Sequence, residues 1–471
     1  MRILLVQPNA RNGSIGFHFV ALPEPLALEI LAAAVPDDEV SILDMRIDDD
    51  LVGAMATFAP DLVAVTALTT EVYAAQDVLA TVKEYAPEAI TVVGGHHATL
   101  VPQDFYLPCV DAICLGEGEA VFPRLVEALR RGRSLRDVPN LVWRDGDGFV
   151  HNGRSVPDFD MDALPLPRRD LVRSYRPHYF MLAHQPDSAV ATGRGCPYRC
   201  NFCSVWEFYQ GKTRQMSPGR VVEELGNIDT DHLTFVDDNF IFAGRREAEI
   251  ARRIKDQGIR HLYSMECRTD AIVRHPGLIA QWADLGLRCV LLGLEGADDG
   301  RLASVNKKNT ARMNEQAVQI LQASGVNVWG AFIVDPDWTA DQFQALADYV
   351  RRLKISMSQF TVLTPLPGTE LYRERHSQLV THDYTCYDTL HAVLPTRLPR
   401  EEFYQRLAEL YQRPDYRPYL DMVDRGVWTM EQLKKSYRRT KTMWHWELYA
   451  ENDPILRRSA NRSGRCVPVG T

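Results

Sequence analysis

The chain alternates two hydrophobic rhythms. Apolar runs at 2–7, 40–44, 62–68, 89–93 and 112–115 are separated by helix-length stretches such as 24–34, 70–85 and 117–131. Continuous Val/Ile/Leu runs between helices predict a parallel sheet covered on both faces. In such a doubly wound, Rossmann-like fold the ligand sits beyond the carboxyl ends of the strands. Here those ends carry Thr66-Ala67-Leu68-Thr69, Gly94-Gly95-His96 and Gly116-Glu117-Gly118. Glycines there either make tight turns or let a bulky ligand approach the backbone. No G-x-G-x-x-G follows the first run, which disfavours a dinucleotide. Residues 140–152 predict a hairpin with Asp-Gly turn chemistry, and the Pro- and Asp-dense stretch 156–170 predicts a linker.

A second alternation follows. Strands are predicted at 188–192, 232–237, 261–267, 288–293, 326–334 and 358–363, with helices at 218–228, 244–257, 276–285, 312–323 and 340–353. Six such units predict a partial (β/α)6 barrel with its active site at the carboxyl ends of its strands. The α/β plan is then a ligand-binding domain over 1–150, a linker over 151–187, a barrel over 188–390 and a mainly helical segment over 391–471.

Composition narrows the function. With 471 residues, 45% hydrophobic and 24% charged, the chain is ordinary globular material for two or three domains. A net charge of -9 argues against nucleic acid as a partner. There is no apolar run of membrane-spanning length and no signal-peptide pattern, so a cytoplasmic location is expected. Residues 425–471 hold ten Lys/Arg against four Asp/Glu, interleaved with Trp428, Trp444, Trp446 and Tyr449. They are read as a solvated helix packed by its aromatics on the barrel, the alternative being peripheral contact at the inner membrane face.

Nine cysteines without an export signal disfavour a disulfide framework. Six are scattered; Cys196, Cys200 and Cys203 fall within eight residues, just after the first barrel strand. Thiolates spaced C-x3-C-x2-C suit an iron–sulfur cubane with one iron left open. A structural zinc is the rival reading, although no Cys or His falls between 204 and 231 to complete it. Unligated thiols are the third.

The triad, with Phe202 before its last cysteine, resembles the radical S-adenosylmethionine (radical SAM) enzymes, and the doubly wound domain in front resembles that of their cobalamin-binding class. The resemblance spans about residues 1–410. It implies a [4Fe–4S] cluster on Cys196, Cys200 and Cys203, whose open iron is chelated by SAM. Phe202, Asp237, Asp238, Glu266, Arg268 and Glu295 are the implied SAM contacts, although Asp237-Asp238-Asn239 replaces the Gly-Gly-Glu of many members. Cobalamin is implied over Thr66, Thr69, Gly94, Gly95, His96, Gly116 and Glu117. The Asp-x-His-x-x-Gly histidine that ligates cobalt elsewhere is missing at Asp44-Met45-Arg46, so base-off cobalamin is expected, with His96 or His97 as polar loop contacts.

Gly94-Gly95-His96, Arg194-Gly195-Cys196-Pro197, Asp335-Pro336-Asp337-Trp338, Thr364-Pro365-Leu366-Pro367-Gly368-Thr369 and the stretch 391–407 resemble the hopanoid C-3 methylases most. That resemblance implies methylation of an unactivated ring carbon of a lipid-like polycyclic substrate. Two SAM are used per methyl, and an electron donor of the flavodoxin or ferredoxin type is needed. The alternatives are methylation of another natural-product scaffold and oxidative ring closure or hydroxylation of the magnesium-protoporphyrin ester cyclase kind.

Overall fold

In the computed structural model the described residues are 1–355, 357–412, 420, 423–424, 426 and 428–457. The first sheet contains Arg2–Gln7 (β1), Glu39–Asp44 (β2), Leu62–Thr66 (β3), Ile90–Gly94 (β4), Ala112–Cys114 (β5), Leu141–Asp145 (β6) and Gly148–His151 (β7). Its order is β2-β1-β3-β4-β5-β6-β7; the first five strands are parallel, and the hairpin adds antiparallel. Strand alternation divides the apolar residues between two cores. Leu4 and Val6 join Val65, Val93 and the helix Val72–Tyr85, whereas Ile3 and Leu5 face Leu28 and Phe122 on the helices Leu26–Ala33 and Gly118–Arg130.

The second sheet runs in chain order: Asp187–Val190 (β8), His232–Phe235 (β9), Leu262–Cys267 (β10), Leu287–Glu295 (β11), Asn327–Val334 (β12) and Met357–Val362 (β13). All its pairings are parallel, and β8 does not meet β13, so the barrel stays open on one side. Outward-facing Leu233, Phe235, Met265, Val290, Leu292, Val328 and Phe332 pack under the surrounding helices as one large core. The inner face mixes polar or small residues, Thr234, Ser264, Glu266, Gly293 and Ala331, with the larger Leu291, Trp329 and Ile333.

The Pro- and Asp-rich connection is not a free tether. Val172 and Tyr179 are buried in the first domain, and Phe180–Met181 pairs antiparallel with Ala21–Leu22. Arg169 joins Glu24 of the first domain to Glu224 on a barrel helix. Composition reads local chain stiffness and misses such anchors.

After the barrel, the helix Arg400–Tyr411 buries Phe403, Tyr404 and Leu407 against the large core, and the buried Asp453 carboxylate accepts from Arg400 Nε at 2.7 Å and Tyr404 Oη at 2.6 Å. Of the interleaved aromatics, Trp428 and Tyr449 are buried, while residues 425, 427 and 458–471 of that segment lie outside the described residues. Among the described residues no helix is long and apolar enough to cross a membrane.

Candidate active site between the two sheets

A cavity of about 390 Å3 lies where the carboxyl ends of β3, β4 and β5 face the start of the barrel. Thr66, Gly94, Gly95, His96, Gly116 and Glu117 all line it. On one side it runs between the sheet and the helices Leu26–Ala33 and Gly118–Arg130; on the other it reaches Arg194, Phe208, Tyr209, Val236 and Asp238. Leu68 is 55% exposed and Val236 44% exposed, one from each domain. Both line this cavity, so an apolar body held there would cover two otherwise costly exposures. Gly95 has φ +90, and a Cβ on it would strike Thr66 Oγ1 at 2.5 Å, so the close turn needs glycine.

Charge ties the two halves together. Arg194, one residue before the turn that leads to Cys196, forms ion pairs with Glu117 and Glu119 of the first domain, and Arg214 joins Glu117 as well. Burial opposes the charge on Arg194, but the two glutamates outweigh it and raise its pKa. His96 Nε2 hydrogen-bonds Ser204 Oγ at 2.8 Å, directly after Cys203, and its ring stacks on Phe208 at 5.0 Å. Burial, together with His97 and Arg154, pushes the imidazole down to about 4, so it is neutral at ordinary pH.

The cysteine loop begins at Gly195, whose φ is +80; a Cβ there would lie 2.1 Å from the Lys212 carbonyl oxygen. Its N–H donates to Asp238 at 2.8 Å. Cys196, Cys200 and Cys203 follow, with Phe202 packed on Ile333, Leu363 and Leu371 near the carboxyl ends of the last two strands. The charges of the three thiols act on one another, and burial raises them all, Cys203 to about 12. Among the described residues no three Cys, His, Asp or Glu side chains converge on a single ion position. A cubane takes one thiolate on each of three different irons, which the C-x3-C-x2-C spacing suits.

Beside Cys200 lie two cations. Arg268 is buried, its guanidinium 3.4 Å from the centroid of the Tyr198 ring and its Nε on Asp270 at 3.0 Å; its Nη2 is buried with no hydrogen-bond partner. An orphaned guanidinium N–H suits a carboxylate. Lys307 Nζ donates to Glu295 Oε1 at 2.7 Å, both being buried. Glu295 ends β11 at φ +59, after a register shift against β12. Glu266 faces the open lumen, where surrounding protein pushes its carboxyl up to about 8.

Two expected contacts are already engaged elsewhere. Asp237 accepts from the Thr192 N–H and hydroxyl at 2.5 and 2.6 Å and pins the end of β8; burial lifts it to about 6. Thr69 hydrogen-bonds His97, which in turn pairs with Asp104, away from the cavity lining. Asp44 lies on the outer strand β2, paired with Arg46 and Tyr179, and that strand end does not line the cavity. Lys307, Arg194, Ser204, Phe208 and Tyr209 carried no expectation as site residues, although Arg194-Gly195-Cys196-Pro197 is itself a strong motif.

The B12 binding domain model matches residues 15–126 and the Radical SAM superfamily model residues 190–350. The hopanoid C-3 methylase of Methylococcus capsulatus is 34% identical over 83% of this chain and 76% of its own. The chain belongs to the cobalamin-binding radical SAM enzymes. The anaerobic magnesium-protoporphyrin IX monomethyl ester cyclase of Rubrivivax gelatinosus is 27% identical, over 88% of this chain and 77% of that protein. The cobalamin-dependent radical SAM enzyme OxsB with aqua-cobalamin bound superposes with TM-score 0.71 at 15% identity, over 98% of this chain and 76% of that one. That likeness shows a shared fold: doubly wound domain first, open barrel next.

Proposed function

We propose that this enzyme, a cobalamin-dependent radical SAM methyltransferase, methylates C-3 of a hopanoid. The observation that carries the acceptor is the 34% identity with the hopanoid C-3 methylase over most of both chains. An sp3 ring carbon without an acidic proton resists polar methylation, so the protein must position cofactors and exclude water rather than supply acid–base residues. When bound, the cluster and SAM supply a carbon radical that takes hydrogen from such a carbon, and cobalamin carries the methyl group.

The chain's own residues hold and orient. Cys196, Cys200 and Cys203 ligate the cluster. The orphaned Nη2 of Arg268 takes the methionine carboxylate. Glu266 and Asp238 face the amino group, the backbone at Phe202 meets adenine, and Glu295, held by Lys307, meets the ribose. Thr66, Gly94, Gly95, His96, Gly116 and Glu117 cradle base-off cobalamin, the neutral His96 acting as a polar wall fixed by Ser204. Asp237 and Thr69 are left out because Thr192 and His97 engage them. We place the enzyme in the cytoplasm, drawing on a flavodoxin- or ferredoxin-type donor and meeting its lipid at the inner membrane face.

The test is a lipid profile from a hopanoid-making host that lacks ring-A methylation, grown with cobalamin under low oxygen. A hopanoid heavier by one CH2 on its A/B-ring fragment is expected. An unchanged profile from protein carrying iron and cobalamin rejects this acceptor, and a ring-closed or hydroxylated tetrapyrrole product would favour the cyclase reading.

A further inference from the structure

A second cavity, a chamber of about 520 Å3, lies along the seam where the barrel fails to close, and the helix Met430–Thr440 forms one of its walls. The helix and the residues before it are docked through their apolar side: Trp428 is buried with Leu182 and Met357, and Leu433 packs on the same cluster. Two cations of the helix are also turned to the body. The Arg439 guanidinium lies 3.6 Å from the centroid of the Phe180 ring, and Arg439 Nη2 and Lys435 Nζ donate to Gln185 Oε1 at 2.9 and 2.5 Å.

The opposite face of the helix is not engaged in this way. Met430, Lys434, Tyr437, Arg438 and Lys441 recur at helical spacing, share one face and are all exposed. Lys434, Arg438 and Lys441 make no side-chain ion pair or hydrogen bond among the described residues. In a chain of net charge -9, the stretch Met430–Lys441 carries five Lys/Arg against a single acid, Glu431. Apolar side chains are exposed among these cations: Met430 at 44%, Leu420 at 42% and Tyr437 at 37%. Tyr437 meets the Trp444 ring edge to face at 5.1 Å. Leu420, Lys434, Arg438 and Trp444 also line the chamber, so the basic face adjoins it.

We propose that this face is a membrane-docking surface that takes the headgroup layer of an anionic bilayer. Lys434, Arg438 and Lys441 meet the anionic headgroups, and Leu420, Met430 and Tyr437 enter just below them. Charge alone would suit any polyanion; exposed apolar side chains among the cations favour a partner with an apolar layer beneath its anionic surface. Tyr437 and Trp444, apolar bodies with one polar end, suit that boundary. The contact is peripheral, since among the described residues no helix is long and apolar enough to cross a membrane. The proposal rests on the reading above, in which the enzyme meets a lipid at the inner membrane face, and names the surface that makes the contact.

The test is co-sedimentation of the full chain with vesicles of phosphatidylcholine, made with and without phosphatidylglycerol. Saturable binding to the anionic vesicles is expected, falling as salt is raised and absent from pure phosphatidylcholine. Each cation near such a surface contributes about fivefold (about 1 kcal/mol), so Lys434→Gln combined with Arg438→Gln should weaken binding by about 25-fold. Lys255→Gln combined with Arg260→Gln removes the same charge at the end of the barrel helix Arg245–Asp256, where both are exposed, and should leave binding unaltered. Tyr437→Ser should weaken binding and keep its salt dependence. Circular dichroism checks each fold. No binding, equal binding to both kinds of vesicle, or the same loss in both double variants overturns the inference. Vesicle binding with these sensitivities but an unchanged lipid profile would remove the hopanoid acceptor and keep the surface. Methylation by a chain that ignores anionic vesicles would do the reverse.

Discussion

The cavity between the sheets and the chamber at the barrel seam are held open by different forces. The first is framed by glycines and by buried ion pairs that cross the domain boundary, Arg194 with Glu117 and Glu119. The second is framed by aromatic and thioether side chains, with its cations confined to the rim. Charge networks fix geometry at the cost of desolvation; apolar walls confer affinity for an apolar body with less directional demand. The contrast separates a cavity tied by charge across the domain boundary from one walled mainly by apolar side chains.

Four substitutions probe that division, from the largest effect down. Cys200→Ala should abolish bound iron and 5′-deoxyadenosine formation; SAM cleavage retained in that variant would contradict the cluster assignment. Arg194→Met leaves Glu119 buried without its cation and Glu117 with Arg214 alone, for which about 3–5 kcal/mol is expected. Denaturant unfolding should show that loss, and adding Glu117→Gln and Glu119→Gln should recover much of it. Ser204→Ala removes one neutral hydrogen bond to His96 and should cost about 1 kcal/mol.

That contribution should be flat between pH 7 and 8. With its pKa lowered from 6.5 to about 4 in the fold, neutral His96 stabilises fully above 6.5 and loses that contribution as pH falls toward 4. The smallest effect concerns Glu266. Its carboxyl, raised to about 8, is neutral below that pH and accepts less well from the amino N–H groups of SAM. SAM affinity, measured by equilibrium dialysis, should rise modestly as pH climbs toward 8.5, and Glu266→Gln should flatten the slope.

Much of the architecture was legible because backbone demand writes itself locally. Val/Ile/Leu runs marked both sheets, and Gly94-Gly95 and Gly116 marked turns that line the cavity between them. Where reading failed, the missing quantity was direction. Asp237 and Asp238 are neighbours, and successive side chains at a strand end point opposite ways, so only one reaches the cavity. Thr69, one turn beyond its strand, likewise turns to His97. Lys307 was invisible because it follows a short helix and meets Glu295 only through the fold. The chamber was the least legible part: it gathers Phe17, Leu182, Trp329 and Trp428, four segments that no local periodicity connects.

The most direct test of the central claim is product accounting with reconstituted enzyme, methyl-labelled SAM and a triterpene acceptor. The account predicts equal amounts of 5′-deoxyadenosine and S-adenosylhomocysteine, with one labelled methyl on an A-ring carbon for each pair. Formation of 5′-deoxyadenosine with an oxidised or cyclised product and no S-adenosylhomocysteine would contradict it.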